Sequence, residues 1–337
     1  MTALQVGWFV VVALFVAAYA ILDGFDLGVG ILYAATRDRE HREALHESIS
    51  PFWDGNEVWL ILIGGLVFAV FPAVYAAALS GLYLLFMLVL FGLILRSAAL
   101  GLYYFKVPAA RRWVLAFSGG SVLAGFFLGI IAGDLVRGVP LDANGDFAGG
   151  AGALFDPFAI VTGLFALAVF ANQGAAWAAA KTSGPAHALS RGMRRWTAWA
   201  TLGMFALTTL LAALLVTDHA RALAGRPLGW VMVALVVGGL AVELVLGRRG
   251  RDRAAFFGAS AAVVGLVGIW AVGAYPNIVP DRGGAGRALT IASAAAPHAS
   301  LVAMAVVAAI GIPLAAVCFT AVYRTFRGRR GTSHEGY

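Results

Sequence analysis

The chain has 337 residues, of which 61% are hydrophobic and only 12% charged, and its mean hydropathy of +0.87 excludes a soluble domain, where about a quarter of residues are charged. A single cysteine, Cys318, rules out an intrachain disulfide and any metal-binding cysteine spacing. The formal charge of +7 does not indicate nucleic acid, because the arginines cluster between apolar runs and no basic face interleaved with aromatics appears.

The N-terminal "MTALQVGW" lacks the basic flank and small-residue cleavage site of a signal peptide, and its apolar segment continues too far for one. It reads as the first membrane helix. Crossing about 30 Å of hydrocarbon takes roughly 20 residues, and runs of that kind lie near 6–33, 51–73, 78–104, 112–132, 157–180, 195–216, 228–246, 254–274 and 298–323. The expected fold is therefore an all-α integral membrane protein of nine transmembrane helices, forming one polytopic domain over 1–337 with a basic tail at 324–337. "FPAVYAAALSGLY" predicts a tight hairpin between the second and third spans, its only punctuation being Pro72, Ser80 and Gly81. Ser50–Pro51 and Asp156–Pro157 each read as an N-cap followed by proline at the first helical position.

Lysine and arginine then predict orientation. The loops after spans 1, 3, 5 and 7 and the tail hold 18 of these residues, whereas the opposite loops hold only Arg137, Arg221, Arg226, Arg282 and Arg287. That asymmetry places the N-terminus outside and the C-terminus in the cytoplasm. Arg96 remains as the basic residue within a span.

Charge inside a span costs at least about 2.5–3.5 kcal/mol at the helix centre, so such residues face protein, a partner or water. Asp23 and Asp26 come roughly 25–30 Å along the first span at 1.5 Å per residue, toward the cytoplasmic side. Asp54, Asn56 and Glu57 open the second span at that same side, and Arg96 lies in the inner half of the third. The pairs Asp23/Asp26 and Asp54/Glu57 are each three apart and share a helix face. Gly24 and Gly28 form a small-xxx-small pair that permits close helix packing. Five ionisable residues in one layer predict a proton-conducting or proton-coupled site; the competing reading is a packing network in which Asp54 complements the helix dipole and Arg96 neutralises an acid.

The six histidines, at 41, 46, 187, 219, 298 and 334, all fall in loops, at helix ends or in the tail, so none is expected as a haem ligand deep in the membrane. No metal site, nucleotide loop or Ser/His/Asp arrangement is expected. Trp53, Trp196, Trp230 and Tyr323 read as interfacial anchors, and Asn172 and Gln173 as partners in interhelical hydrogen bonds.

"DGFDLGVGIL" followed by "WDGNEVWLI" and "FPAVYA" resembles subunit II of the cytochrome bd-type quinol oxidases, including their cyanide-insensitive relatives. The likeness continues in order through "LVRGVPLD", "FDPFAIVTGLFALAVFANQGAAWAAAKT", "AYPNIVP", "LTIASAAAPHASL" and "IPLAAVCFTAVYRTFRG". The resemblance implies a nine-helix subunit, pseudo-symmetric with a partner, subunit I, that carries two b-type haems and one d-type haem. Such a complex sits in the bacterial cytoplasmic membrane, oxidises quinol, and reduces O2 to water with protons taken from the cytoplasm. Small single-helix accessory subunits, surrounding lipids and a structural quinone are further implied. Asp23 and Asp26 match the acids of the family's first-helix motif. Trp53, Asp54, Asn56, Glu57 and Trp59 match its second-helix motif, and Arg96 matches the basic residue of its third helix. Gln173 departs from the family, where histidine often stands. The rival class, a proton-coupled secondary transporter, predicts broken helices, an inverted repeat and a charged site near the bilayer centre.

Overall fold

A computed structural model describes residues 1–104, 110–282 and 287–329. Lys106, the loop segment 283–286, His334 and the tail from residue 330 onward lie outside the described residues. In chain order the elements begin with α1 (Ala3–Ala35), α2 (Arg39–Ile49), α3 (Trp53–Val70), α4 (Pro72–Gly81), α5 (Tyr83–Tyr104), α6 (Ala110–Arg137) and a 3-10 turn (Ala151–Leu154). They continue with α7 (Pro157–Lys181), α8 (Gly184–Leu215), α9 (Thr217–Ala224), α10 (Pro227–Arg248), α11 (Asp252–Ala274), β1 (Asn277–Val279), β2 (Leu289–Thr290), α12 (Ile291–Ala294) and α13 (His298–Thr325). Nine helices among the described residues are long and apolar enough to cross a membrane, namely α1, α3, α5, α6, α7, α8, α10, α11 and α13.

Two boundaries differ from expectation. The hairpin expected between the second and third spans is instead a helix of ten residues, α4, set off by breaks at Phe71 and Leu82. Pro72 starts that helix at its first position, where a missing N–H costs nothing. Ser50 is no N-cap: it closes α2, with its own N–H donated to His46 O, and α3 begins only at Trp53 behind Phe52, whose side chain makes no capping bond. Asp156 does cap α7, its Oδ1 accepting from the N–H groups of Phe158 and Ala159 at 2.8 and 3.1 Å.

A close helix approach joins α1 to α7. A Cβ on Gly28 would lie 1.8 Å from Phe170 O, and one on Gly174 only 2.3 Å from Gly28 C. Only glycine at both positions lets the two backbones touch, the small-residue device of membrane helix packing. At the end of the bundle remote from Asp54, the loops flanking the 3-10 turn and β1 bind one another. Arg137 and Arg282 both reach Asp156, at 2.5 and 3.1 Å, and the Leu141 N–H donates to Asp281 at 3.1 Å.

Candidate functional site

Helices α1, α3, α5 and α13 bring a polar cluster together inside an apolar bundle. Arg96 on α5 is fully buried, and its Nη2 donates to Asp23 Oδ1 on α1 at 2.6 Å and to Glu57 Oε1 on α3 at 2.5 Å. Ser97 Oγ donates to the same Glu57 oxygen at 2.8 Å. One turn on from Asp23, Asp26 accepts from Asn56 Nδ2 at 2.8 Å, and the same nitrogen reaches Leu22 O at 3.2 Å. The Asn56 carbonyl oxygen in turn accepts from Tyr323 Oη on α13 at 3.0 Å.

The helix periods explain the convergence. Asp23 and Asp26 share one face of α1, and Asn56 and Glu57 are adjacent on α3, so one helix pair supports two contacts, the Asn56–Asp26 bond and the Glu57–Arg96–Asp23 bridge. Asp23, Asp26 and Asn56 are wholly buried. Burial of this kind is tolerable only with paired charges and satisfied hydrogen bonds, yet Asp23 Oδ2, Asp26 Oδ1 and Arg96 Nε and Nη1 have no hydrogen-bonding partner among the described residues. Two carboxyl groups, those of Asp23 and Glu57, share the one guanidinium of Arg96, while Asp26 is held by Asn56.

Of the residues singled out from sequence, Asp23, Glu57 and Arg96 meet directly, as do Asp26 and Asn56. Asp54 does not: it is exposed in the first turn of α3, one turn ahead of Glu57, whose side chain is 23% accessible. Trp53 packs among the apolar residues around Phe25 and Trp177. Trp59 stands edge-on to Phe15, with ring centres 5.2 Å apart, and lies 5.4 Å from Phe319. Gly24 meets the Phe170 ring and Gly28 the α7 backbone. Tyr323, expected as an interfacial anchor, instead joins the cluster through Asn56, a contact 267 residues away in sequence that no local pattern signals. Ser97 is a second addition, foreshadowed only by its place beside Arg96. Trp196 and Trp230 are 76% and 62% exposed and do face outward.

No three His, Cys, Asp or Glu side chains converge as a metal site among the described residues. His46 and His219 are buried, but on the short helices α2 and α9, and burial lowers each imidazole to about 4, with Arg226 adding to the effect at His219. Such an arrangement does not fit the axial ligation of a haem within a span.

The chain is similar to several known proteins. The chain is 35% identical over 209 residues to the cytochrome bd-I ubiquinol oxidase subunit 2 of Escherichia coli K12, covering 59% of this chain and 55% of that protein. The chain thus spans about half the length of that relative. It is 29% identical over 344 residues to the cytochrome bd ubiquinol oxidase subunit 2 of Bacillus subtilis, covering 99% of this chain and 98% of that one. Its fold is similar to a chain of the bd oxidase from Geobacillus thermodenitrificans, with a TM-score of 0.81 at 19% identity over 96% of this chain and 99% of that chain. The family described as cytochrome bd terminal oxidase subunit II matches residues 4–326. The chain belongs to the cytochrome bd terminal oxidase subunit II family.

Proposed function

We propose that this chain is the second subunit of a membrane-bound terminal oxidase that passes electrons from a quinol to O2, and that its own task is to support the partner and carry protons. Family membership and the names of the relatives from E. coli and B. subtilis favour the oxidase. In this reading the haems, two of b type and one of d type, belong to the partner subunit I and supply the redox chemistry there. The N-terminus lies outside and the C-terminus in the cytoplasm of a bacterium, because the basic residues crowd the loops on the Asp54 side.

The observation that carries the proton role is a gradient of burial along three acids. Asp54 is exposed, Glu57 one turn further is partly covered, and Asp23, which shares Arg96 with Glu57, is fully buried. Asp54 collects a proton from water, Glu57 and Asp23 pass it inward across the Arg96 guanidinium, and Asp26 with Asn56 and Tyr323 forms the neighbouring branch. Carboxyls in sequence along neighbouring helices suit this because each can hold the proton in turn.

Asp54→Asn in the purified complex tests the reading. Oxygen consumption should fall by about an order of magnitude, a barrier increase of about 1.4 kcal/mol, with the haem spectrum unchanged. Unaltered turnover rejects the relay, and loss of haem makes Asp54 a structural residue.

A further inference from the structure

A second buried carboxyl stands apart from the cluster already described. Glu243 on α10 is wholly buried; its Oε2 accepts from Asn172 Nδ2 on α7 at 2.8 Å, while Oε1 has no hydrogen-bonding partner among the described residues. Among those residues it forms no ion pair. Arg194 on α8, whose charge acts on it, is committed to Asp252 on α11 at 2.7 Å. Thr197 of α8 reaches Glu243 only through Asn172, donating to the Asn172 carbonyl oxygen at 3.0 Å.

The surroundings repeat those of Arg96. On α5, Gly92 lies one turn before Arg96 and packs against the backbone of Gly120 and Ala124 on α6, while Gly120 packs against Gly92 and Arg96. On α10, Gly239 lies one turn before Glu243 and packs against Gly258 and Ala262 on α11, while Gly258 packs against Gly239 and Glu243. The two crossings match residue for residue. The Gly28–Gly174 contact sets α7 against α1 in the same sense, so that Asn172 stands two residues before its glycine as Asp26 stands before Gly28. The second half of the chain thus holds an acid where the first half holds its arginine.

A small cavity of about 10 Å³ lies between α7, α8, α10 and α11, lined by Asn172, Gln173, Thr201 and Leu240 among others. That is room for about one water molecule. Asn172 joins the cavity to Glu243. Gln173 on the same wall donates to Ser260 Oγ at 2.8 Å and keeps a buried Oε1 without a partner.

We propose that Glu243 is a second internal proton-binding site, whose carboxyl takes up and releases a proton by way of water. The step is a bare proton transfer: an O–H bond of hydronium breaks, an O–H bond to the Glu243 carboxylate forms, and water is left behind. The inference rests on the proton-carrying role proposed above only for its use in turnover, not for the binding itself.

Infrared spectra of the intact oxidase complex in H2O and D2O test it. The expected result is a carboxylic acid C=O band that shifts on deuteration, disappears in Glu243→Gln and persists in Asp54→Asn. A carboxyl region unchanged by Glu243→Gln overturns the proposal. Should that variant fail to assemble, Asn172→Leu, which removes the donor on Oε2, should displace the same band; an unmoved band then overturns it. Because the readout is the band and not oxygen consumption, failure here is distinct from failure of the Asp54 relay.

Discussion

Replacing Arg96 by methionine removes the one cation between two acids while keeping a long apolar side chain. Glu57 has recourse: it retains Ser97 Oγ at 2.8 Å and its side chain is 23% accessible. Asp23 has none, since its side chain is 0% accessible, Oδ1 loses its donor and Oδ2 has no partner among the described residues. Breaking a buried pair from one side costs about 3–5 kcal/mol, largely the penalty of the charge left behind. Asp23→Asn added to Arg96→Met removes that charge and leaves an unsatisfied amide, worth about 1–3 kcal/mol. The double variant should therefore be more stable than Arg96→Met alone by about 2 kcal/mol, and the two substitutions should be non-additive, as expected for residues in contact. Thermal unfolding midpoints of the intact complex, compared at equal protein and lipid concentration, give the order wild type, double variant, Arg96→Met. A single variant as stable as wild type, or a double variant whose loss equals the sum of the two singles, refutes the reasoning.

At the α1–α7 crossing, Gly174→Val places a Cβ within 2.3 Å of Gly28 C and should force the helices apart, an overpacking cost of about 1–3 kcal/mol or more. Size-exclusion chromatography should show the assembled complex depleted, whereas Gly64→Ala, with nothing within 4 Å of the added carbon, should assemble normally. Burial holds the His46 imidazole at about 4 against an ordinary value of 6.5, so between those values the unfolded chain binds a proton that the folded chain does not. Stability is then full above about pH 6.5 and is lost as pH falls toward 4, by up to about 3 kcal/mol. His46→Gln should flatten the fall of the unfolding midpoint over that window, and an unchanged slope refutes it.

Membrane class, the number of spans and the charged residues of the first cluster were legible along the chain, for a physical reason. Hydrocarbon tolerates so little polarity that each apolar run is long and each charge within one is conspicuous, and Asp23, Asp26, Glu57 and Arg96 were conspicuous in that way. Asp156–Pro157 was equally legible, because capping is decided within three residues.

Ser50–Pro51 carries the same local signature and lost to context: Ser50 continues α2, and the buried Phe52 rather than a capping side chain starts α3. Only the tertiary arrangement decided which polar residues meet. Tyr323 and Asn56 touch because α13 returns to α3 after the whole bundle has been traversed. Asp54, three residues from Glu57, faces outward at the start of α3 while its neighbour reaches Arg96. Glu243 is a single acid in an apolar run until α7 sets Asn172 against it and the α10–α11 crossing shows it to occupy the place of Arg96. Hydropathy is a property of each residue and survives in one dimension. Pairing and pseudo-symmetry belong to distances between helices, which the glycine contacts set and no single segment encodes.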